Sequence, residues 1–264
     1  MNVHILNFEP DRRGGGWSAA RNLYTEFNSS YEDAEVVLIT GPTMVSHEQV
    51  DQAKRDGKKI VLRCDNAVRD SRNRGTGMSR LKSFSEKADL VIYQSEWARK
   101  FLYPYTRIDG PVVLNGVDTS VFNDSNRNAP EGSHLYARSS RDEGKQWIMA
   151  WYWFANNSGT LEIVGKFSPE NMQYNFDFFN GEQFRFMGEQ SNMIDVYRRN
   201  KYFLYTYTND ACSNTLIEAR ASGCLIVDVY GQLQTGGAPE IMALKDLSKE
   251  RMIKEYKECL AAIA

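Results

Sequence analysis

The sequence holds few of the residues that staple or metallate a fold. Its 264 residues contain four cysteines, Cys64, Cys212, Cys224 and Cys259, and no CxxC pair. That argues against a disulfide framework or a cysteine zinc site and points to a reducing compartment. Histidine is scarcer still: His4, His47 and His134 stand at no ligand spacing, so no metal is expected. An excess of one charge is missing too. A formal net charge of −2 gives no global field to recruit nucleic acid or an anionic membrane. No apolar run approaches the roughly 18 residues that span a bilayer. "MNVHILNF" enters a strand at once, without a basic leader. The expectation is a cytoplasmic protein with no nucleic-acid partner, peripheral membrane contact being left open.

What is present is alternation. The apolar runs at 2–8, 35–40, 59–64, 90–95 and 111–116 are rich in Val, Ile and Leu and predict strands buried on both faces of a parallel sheet. Helical stretches lie between them, as at 17–27 and 95–103. A second series follows, with strands predicted at 133–139, 161–166, 184–188, 201–208 and 224–230 and helices at 144–155, 190–199 and 214–222. The aromatic "WYWFANN" (151–157) reads as helix core. Two such series predict two doubly wound α/β domains, and the length suits two. The join falls in the Asn-, Asp-, Ser- and Gly-rich stretch 115–133. The expected limits are 1–117 and 118–246. The tail 247–264 carries Leu247, Met252, Ile253, Tyr256, Leu260 and Ile263 at the spacing of one apolar helix face, which must dock on a domain.

The richest stretch chemically is "NDACSNTLIEARASGCLIV" (209–227). A strand runs into it, a helix opens near Ser213 or Asn214, and Gly223 can close that helix. Ligands of an open parallel sheet sit beyond the carboxyl ends of its strands. A helix start there, with the amides of Asn214 and Thr215, suits phosphate. Glu218 lies about one turn in and leans back toward the helix start. Its carboxylate can accept from a ribose diol, or it can pair with Arg220. Asp210 can reach another polyol, or merely cap the helix. Arg138, Arg141 and Lys145 follow the first strand of the second domain; they can neutralise a departing diphosphate or line a solvated basic loop. Gly14, Gly15 and Gly16 follow the first strand and permit a close backbone approach to phosphate; a plain tight turn fits them equally. In "GGAPEI" (236–241), Glu240 and the amides before it can contact a ligand or open a helix with Pro239 in its first turn. The stretch 61–84 sets six basic residues against two acids, with Asp65 flanked by Arg63 and Asn66. Interleaved aromatics are lacking, so single-stranded nucleic acid is a poor fit.

Taken in order, these blocks resemble the GT-B glycosyltransferases, in particular the large retaining family 4 that includes relatives of sucrose and glycogen synthases. Asp210 and Glu218 stand at that family's two acids, with Asp where Glu is usual. "VVLNGVDTSVF" (112–122), "ARSSRDEGKQW" (137–147), "GGGWSAARNL" (14–23) and "GGAPEI" resemble its other hallmarks. The resemblance covers nearly the whole chain. Asp65 stands where the family often has a histidine, and the chain is shorter than most relatives.

The resemblance implies two Rossmann-like doubly wound parallel-sheet domains facing a cleft. It implies a donor site of Glu218 on ribose, Arg138 or Arg141 with Lys145 on diphosphate, Ser213, Asn214 and Thr215 at the helix mouth, and Glu240 near the sugar. Asp210 would orient the sugar, Gly15 and Gly16 would crowd the phosphates, and Asp65 would line the acceptor side. A UDP- or GDP-sugar is then a substrate, with no cofactor and no metal, and the acceptor a glycan or lipid-linked molecule. The protein would act as a monomer or homodimer. A non-catalytic sugar- or nucleotide-binding module and a nucleotide-sugar epimerase are the competing readings.

Overall fold

The computed structural model describes residues 1–12, 15–64, 77–138, 146–166 and 183–263. They form two compact units. The first comprises Met1–Asp118, Ala211–Asn214 and Glu240–Ala264; the second comprises Thr119–Asp210 and Thr215–Pro239.

In the first unit, β1 (Val3–Ile5), α1 (Gly15–Tyr24), β2 (Val36–Ile39), α2 (His47–Arg55), β3 (Lys59–Cys64), α3 (Gly77–Ser85), β4 (Leu90–Tyr93) and α4 (Glu96–Thr106) alternate. The strands are parallel, in the order β1-β2-β3-β4. Side chains of a strand alternate between faces, so each apolar run feeds two cores. Val37, Ile39, Ile60 and Leu62 pack with Val50, Ala53, Leu81, Phe84, Ala98 and Leu102 from α2, α3 and α4. Val36, Leu38 and Val61 pack with Ala20 and Leu23 of α1 and with Met252, Tyr256 and Leu260 of the last helix, Lys249–Ala261. The tail's apolar stripe is thereby buried.

One expected strand is absent. Residues 111–116 make a single bridge, Tyr93↔Val112, flanked by Tyr93 N–H to Pro111 O and Val113 N–H to Tyr93 O. Pro111 has no N–H to give. Beyond it the carbonyls of Leu114 and Asn115 accept from Arg251 instead, at 3.0 and 2.7 Å. Strand β1 stops short of its expected end because Asn7 turns the chain into the left-handed region at φ 57°.

In the second unit, β5 (Ser133–Ala137), α5 (Trp147–Ala155), β6 (Thr160–Val164), β7 (Phe184–Gly188), α6 (Met193–Arg199), β8 (Tyr202–Tyr205), α7 (Asn214–Ala221) and β9 (Leu225–Asp228) build a parallel sheet ordered β7-β6-β5-β8-β9. Trp147 and Phe154 bury on α5, whereas Tyr152 stays exposed. The order matters for function. From β5 the chain adds β6 and β7 on one side, then reverses and adds β8 and β9 on the other. The short α8 (Ala238–Ala243) and α9 (Lys249–Ala261) close the chain.

Candidate functional site

A parallel sheet receives ligands beyond the carboxyl ends of its strands, where the strand order reverses. In the second unit that point lies between β5 and β8. Arg138 is the residue that follows β5, and Asp210 lies in the loop that follows β8. Their side chains meet: Arg138 Nη2 donates to Asp210 Oδ2 at 3.3 Å, with side-chain exposures of 22 % and 8 %. The guanidinium also lies over the ring of Tyr207, 4.9 Å from its centre, a cation–π contact. Tyr207 is wholly buried, and its hydroxyl donates to Ala137 O at 2.9 Å. Burial pushes this phenol up to about 12 against the opposing pull of Arg138. It therefore stays neutral and serves as a floor under the cation.

The glycine pair of "GGAPEI" explains how Asp210 is held. Gly237 N–H donates to Asp210 O at 2.9 Å. Gly236 sits at φ +59°, and a Cβ there would lie 2.5 Å from the same carbonyl oxygen. The turn lies directly on the Asp210 backbone, and only glycine fits that approach.

Helix α7 ends in a Schellman turn, with Gly223 N–H to Arg220 O, Cys224 N–H to Ala219 O, and Gly223 at φ +76°. Within the helix, Glu218 Oε2 accepts from the hydroxyl of Tyr197 at 2.9 Å. Tyr197, on α6, is wholly buried; burial first, then the charge of Glu218, holds its phenol well above the ordinary range. It acts as a fixed donor that orients the carboxylate. No spacing rule along one helix reaches Tyr197.

Of the remaining candidates, Gly15, Gly16, Ser213, Asn214 and Glu240 fall in the first unit, and Thr215, the second residue of α7, falls in the second. Gly15 and Gly16 open α1. Ser213 is buried immediately before α7. Asn214 is the first residue of α7, and its Oδ1 accepts from Asn115 Nδ2 at 2.7 Å. Glu240 lies in the first turn of α8, and its two oxygens accept from Glu96 N–H and Trp97 N–H at 2.8 and 3.1 Å. It thus covers the start of α4 together with Ser95, whose hydroxyl accepts from Ala98 N–H at 3.0 Å. Asp65, Arg141 and Lys145 lie outside the described residues. Among the described residues, no group of three His, Cys, Asp or Glu is placed to hold a metal, and no helix is long and apolar enough to cross a membrane.

The two parallel sheets, of four and five strands, are the paired Rossmann-like domains of the GT-B architecture. Solved structures of that architecture superpose on nearly all of the chain. HepE of Anabaena, in complex with UDP and glucose, matches with a TM-score of 0.66 at 13 % identity, over 92 % of this chain and 81 % of that one. Sucrose-phosphate synthase from Thermosynechococcus elongatus matches with a TM-score of 0.64 at 14 % identity, over 92 % and 77 %. A glycosyltransferase from Rickettsia africae matches with 0.54 at 14 %, over 97 % and 74 %. At these identities the likeness is one of fold. No protein-family profile and no curated protein sequence matches the chain.

Proposed function

We propose that this protein is a sugar-nucleotide-dependent glycosyltransferase, moving a hexosyl group to an acceptor hydroxyl with retention of configuration. One observation carries the reading: Arg138 and Asp210 flank the reversal of the second sheet, over a buried aromatic floor. A cation and an acid at that point suit the diphosphate and the sugar of a nucleotide-sugar. Glu218, turned by Tyr197, is suited to clasp the ribose diol. The complexes of HepE with UDP and with UDP-glucose agree with this choice of donor.

In this scheme Arg138, with Arg141 and Lys145 by their place in the sequence motif, neutralises the charge that develops on the departing phosphate. The bond between sugar and phosphate stretches, and an oxocarbenium-like centre forms. The acceptor oxygen bonds to the anomeric carbon on the face the phosphate leaves, and its proton passes to that phosphate, which gives retention. Asp210 orients the sugar. Glu240, Ser213 and the amides of Asn214 and Thr215 complete the donor side, Gly15 and Gly16 approach the phosphates, and Asp65 lines the acceptor side. The countercharge comes from side chains, so the scheme calls on no cofactor. UDP- or GDP-sugar is the proposed donor and a glycan or lipid-linked molecule the acceptor. All four cysteines are thiols rather than disulfides, which suits a reducing compartment such as the cytoplasm.

The test is a thermal-shift panel of UDP, GDP, ADP and dTDP with their sugars. Ligand at a hundredfold its Kd should add about 2.7 kcal/mol to the native state. Release of nucleoside diphosphate that requires an acceptor would then establish transfer. A shift without turnover would favour a binding module, and no shift with any nucleotide would sink the proposal.

A further inference from the structure

One helix of the first unit leaves three aromatic rings in the open. Phe101, Tyr103 and Tyr105 of α4 are 44 %, 44 % and 45 % exposed. Rings scattered singly over a surface need no explanation; rings gathered on one helix mark a contact surface.

The helix sorts its residues into rows. Ala98, Leu102 and Thr106, four apart, are its buried row. Trp97, Phe101 and Tyr105 form a row along one flank. Trp97 packs partly on the core, and its ring stacks on Phe101 with centres 5.1 Å apart. Lys100, Tyr103 and Arg107 run along the opposite flank. The acids of this stretch, Glu96 and Asp109, both pair with Arg99, at 3.0 and 3.5 Å. Lys100 and Arg107 are exposed, and their side chains pair with no acid among the described residues. The helix thus shows solvent an aromatic stripe with two unneutralised positive charges beside it.

We propose that α4 docks the protein on the surface of an anionic lipid bilayer. Trp, Tyr and Phe rings suit the boundary between headgroups and acyl chains. The two cations match the charge of acidic headgroups, and their long stems let the charge stay among them. Pro104 sets the depth. It lies inside the helix and has no N–H to return to the Lys100 carbonyl. That oxygen needs water or a headgroup, so the helix lies flat in the interfacial layer, outside the hydrocarbon. The inference stands apart from the donor reading above, since it uses no residue assigned to nucleotide or sugar.

The test is flotation of the full chain with vesicles, read without nucleotide. Protein should float with phosphatidylglycerol and phosphatidylcholine mixed in equal parts, far less with phosphatidylcholine alone, and less again from the mixture in high salt. Phe101→Ser with Tyr105→Ser should weaken binding to the mixed vesicles on the order of tenfold. Lys100→Glu with Arg107→Glu should weaken it by roughly thirtyfold or more. All four positions are exposed, so melting temperatures should stay near that of the wild type. Tyr152→Ser, at an exposed ring of the second unit, should bind as the wild type does. Wild-type protein that failed to float with the mixed vesicles would overturn the proposal, as would equal binding to both kinds of vesicle or folded variants that bound undiminished. A concentration-dependent dimer that the aromatic variant dissolved, in protein that ignored lipid, would give the stripe to a second copy of the chain and overturn the proposal too.

Discussion

At the scale of single residues, the ion pair of Arg138 and Asp210 does two jobs that pull against each other. The acid holds the cation over Tyr207, yet it also spends part of the positive charge that a diphosphate would use. Asp210→Asn keeps the shape and releases the charge. Nucleoside diphosphate should bind a few-fold tighter, while sugar transfer should fall by at least tenfold, about 1.4 kcal/mol, because the group proposed to orient the sugar is weakened. Calorimetry and initial rates on the same preparation check both halves. Glu218→Gln can still accept from Tyr197, so the fold should stand. Losing the charge should weaken UDP or GDP by roughly tenfold, since hydrogen bonds to charged acceptors contribute about 1.5–3 kcal/mol against about 1 for neutral ones. Unchanged affinity would remove Glu218 from the site. The places of both acids, one past a strand end and one inside the helix that follows, were legible from the sequence. Tyr197 and Tyr207 were not, because their roles arise from packing between elements distant along the chain, and nothing local marks a tyrosine as a floor or a fixed donor.

At the scale of elements, α4 depends on a residue far from it in sequence. Glu240 accepts from the amides of Glu96 and Trp97, and the positive end of the helix dipole favours its charge. Glu240→Ala leaves both amides without that carboxylate and should lower stability by about 1–2 kcal/mol, read as a drop in denaturant midpoint at constant m-value. A variant of wild-type stability with impaired nucleotide binding would instead assign the carboxylate to the ligand. In the sequence, Glu240 fits a ligand contact or a helix start behind Pro239, and it does lie in the first turn of α8. The start that it covers belongs to another helix, which periodicity cannot reveal. Strand interiors were readable because a run buried on both faces, such as Val36–Ile39, has no polar alternation to confuse it. Their ends were not, since they turn on single events: the left-handed Asn7, the missing N–H of Pro111, and Arg251 drawing off two carbonyls.

At the scale of the whole molecule, acid stability should follow His134. Its ring is buried against Tyr202, Trp153 and Phe154, and burial depresses its pKa below the ordinary 6.5. The fold therefore favours the neutral ring. As pH falls below about 6.5 the unfolded chain takes up the proton first, so this contribution is intact above that value and is lost as pH falls toward the depressed one. Melting temperatures across pH 8 to pH 5 (roughly the range where histidine titrates) should slope downward, and His134→Gln should flatten that slope. Two α/β layers were legible from the alternation of runs. How the chain divides between units was less so, because Ala211–Asn214 and Glu240–Ala264 return to a body begun at the N-terminus. That return has a consequence for biosynthesis. The second sheet is complete once the ribosome has passed Asp228, whereas the first still lacks Met252, Tyr256 and Leu260. At translation speeds of ~5–20 residues per second, the face of the first sheet that carries Val3, Ile5, Val36 and Leu38 waits for these three residues with cover on one part only, from Ala20 and Leu23, and the rest open to any chaperone that grips apolar surface.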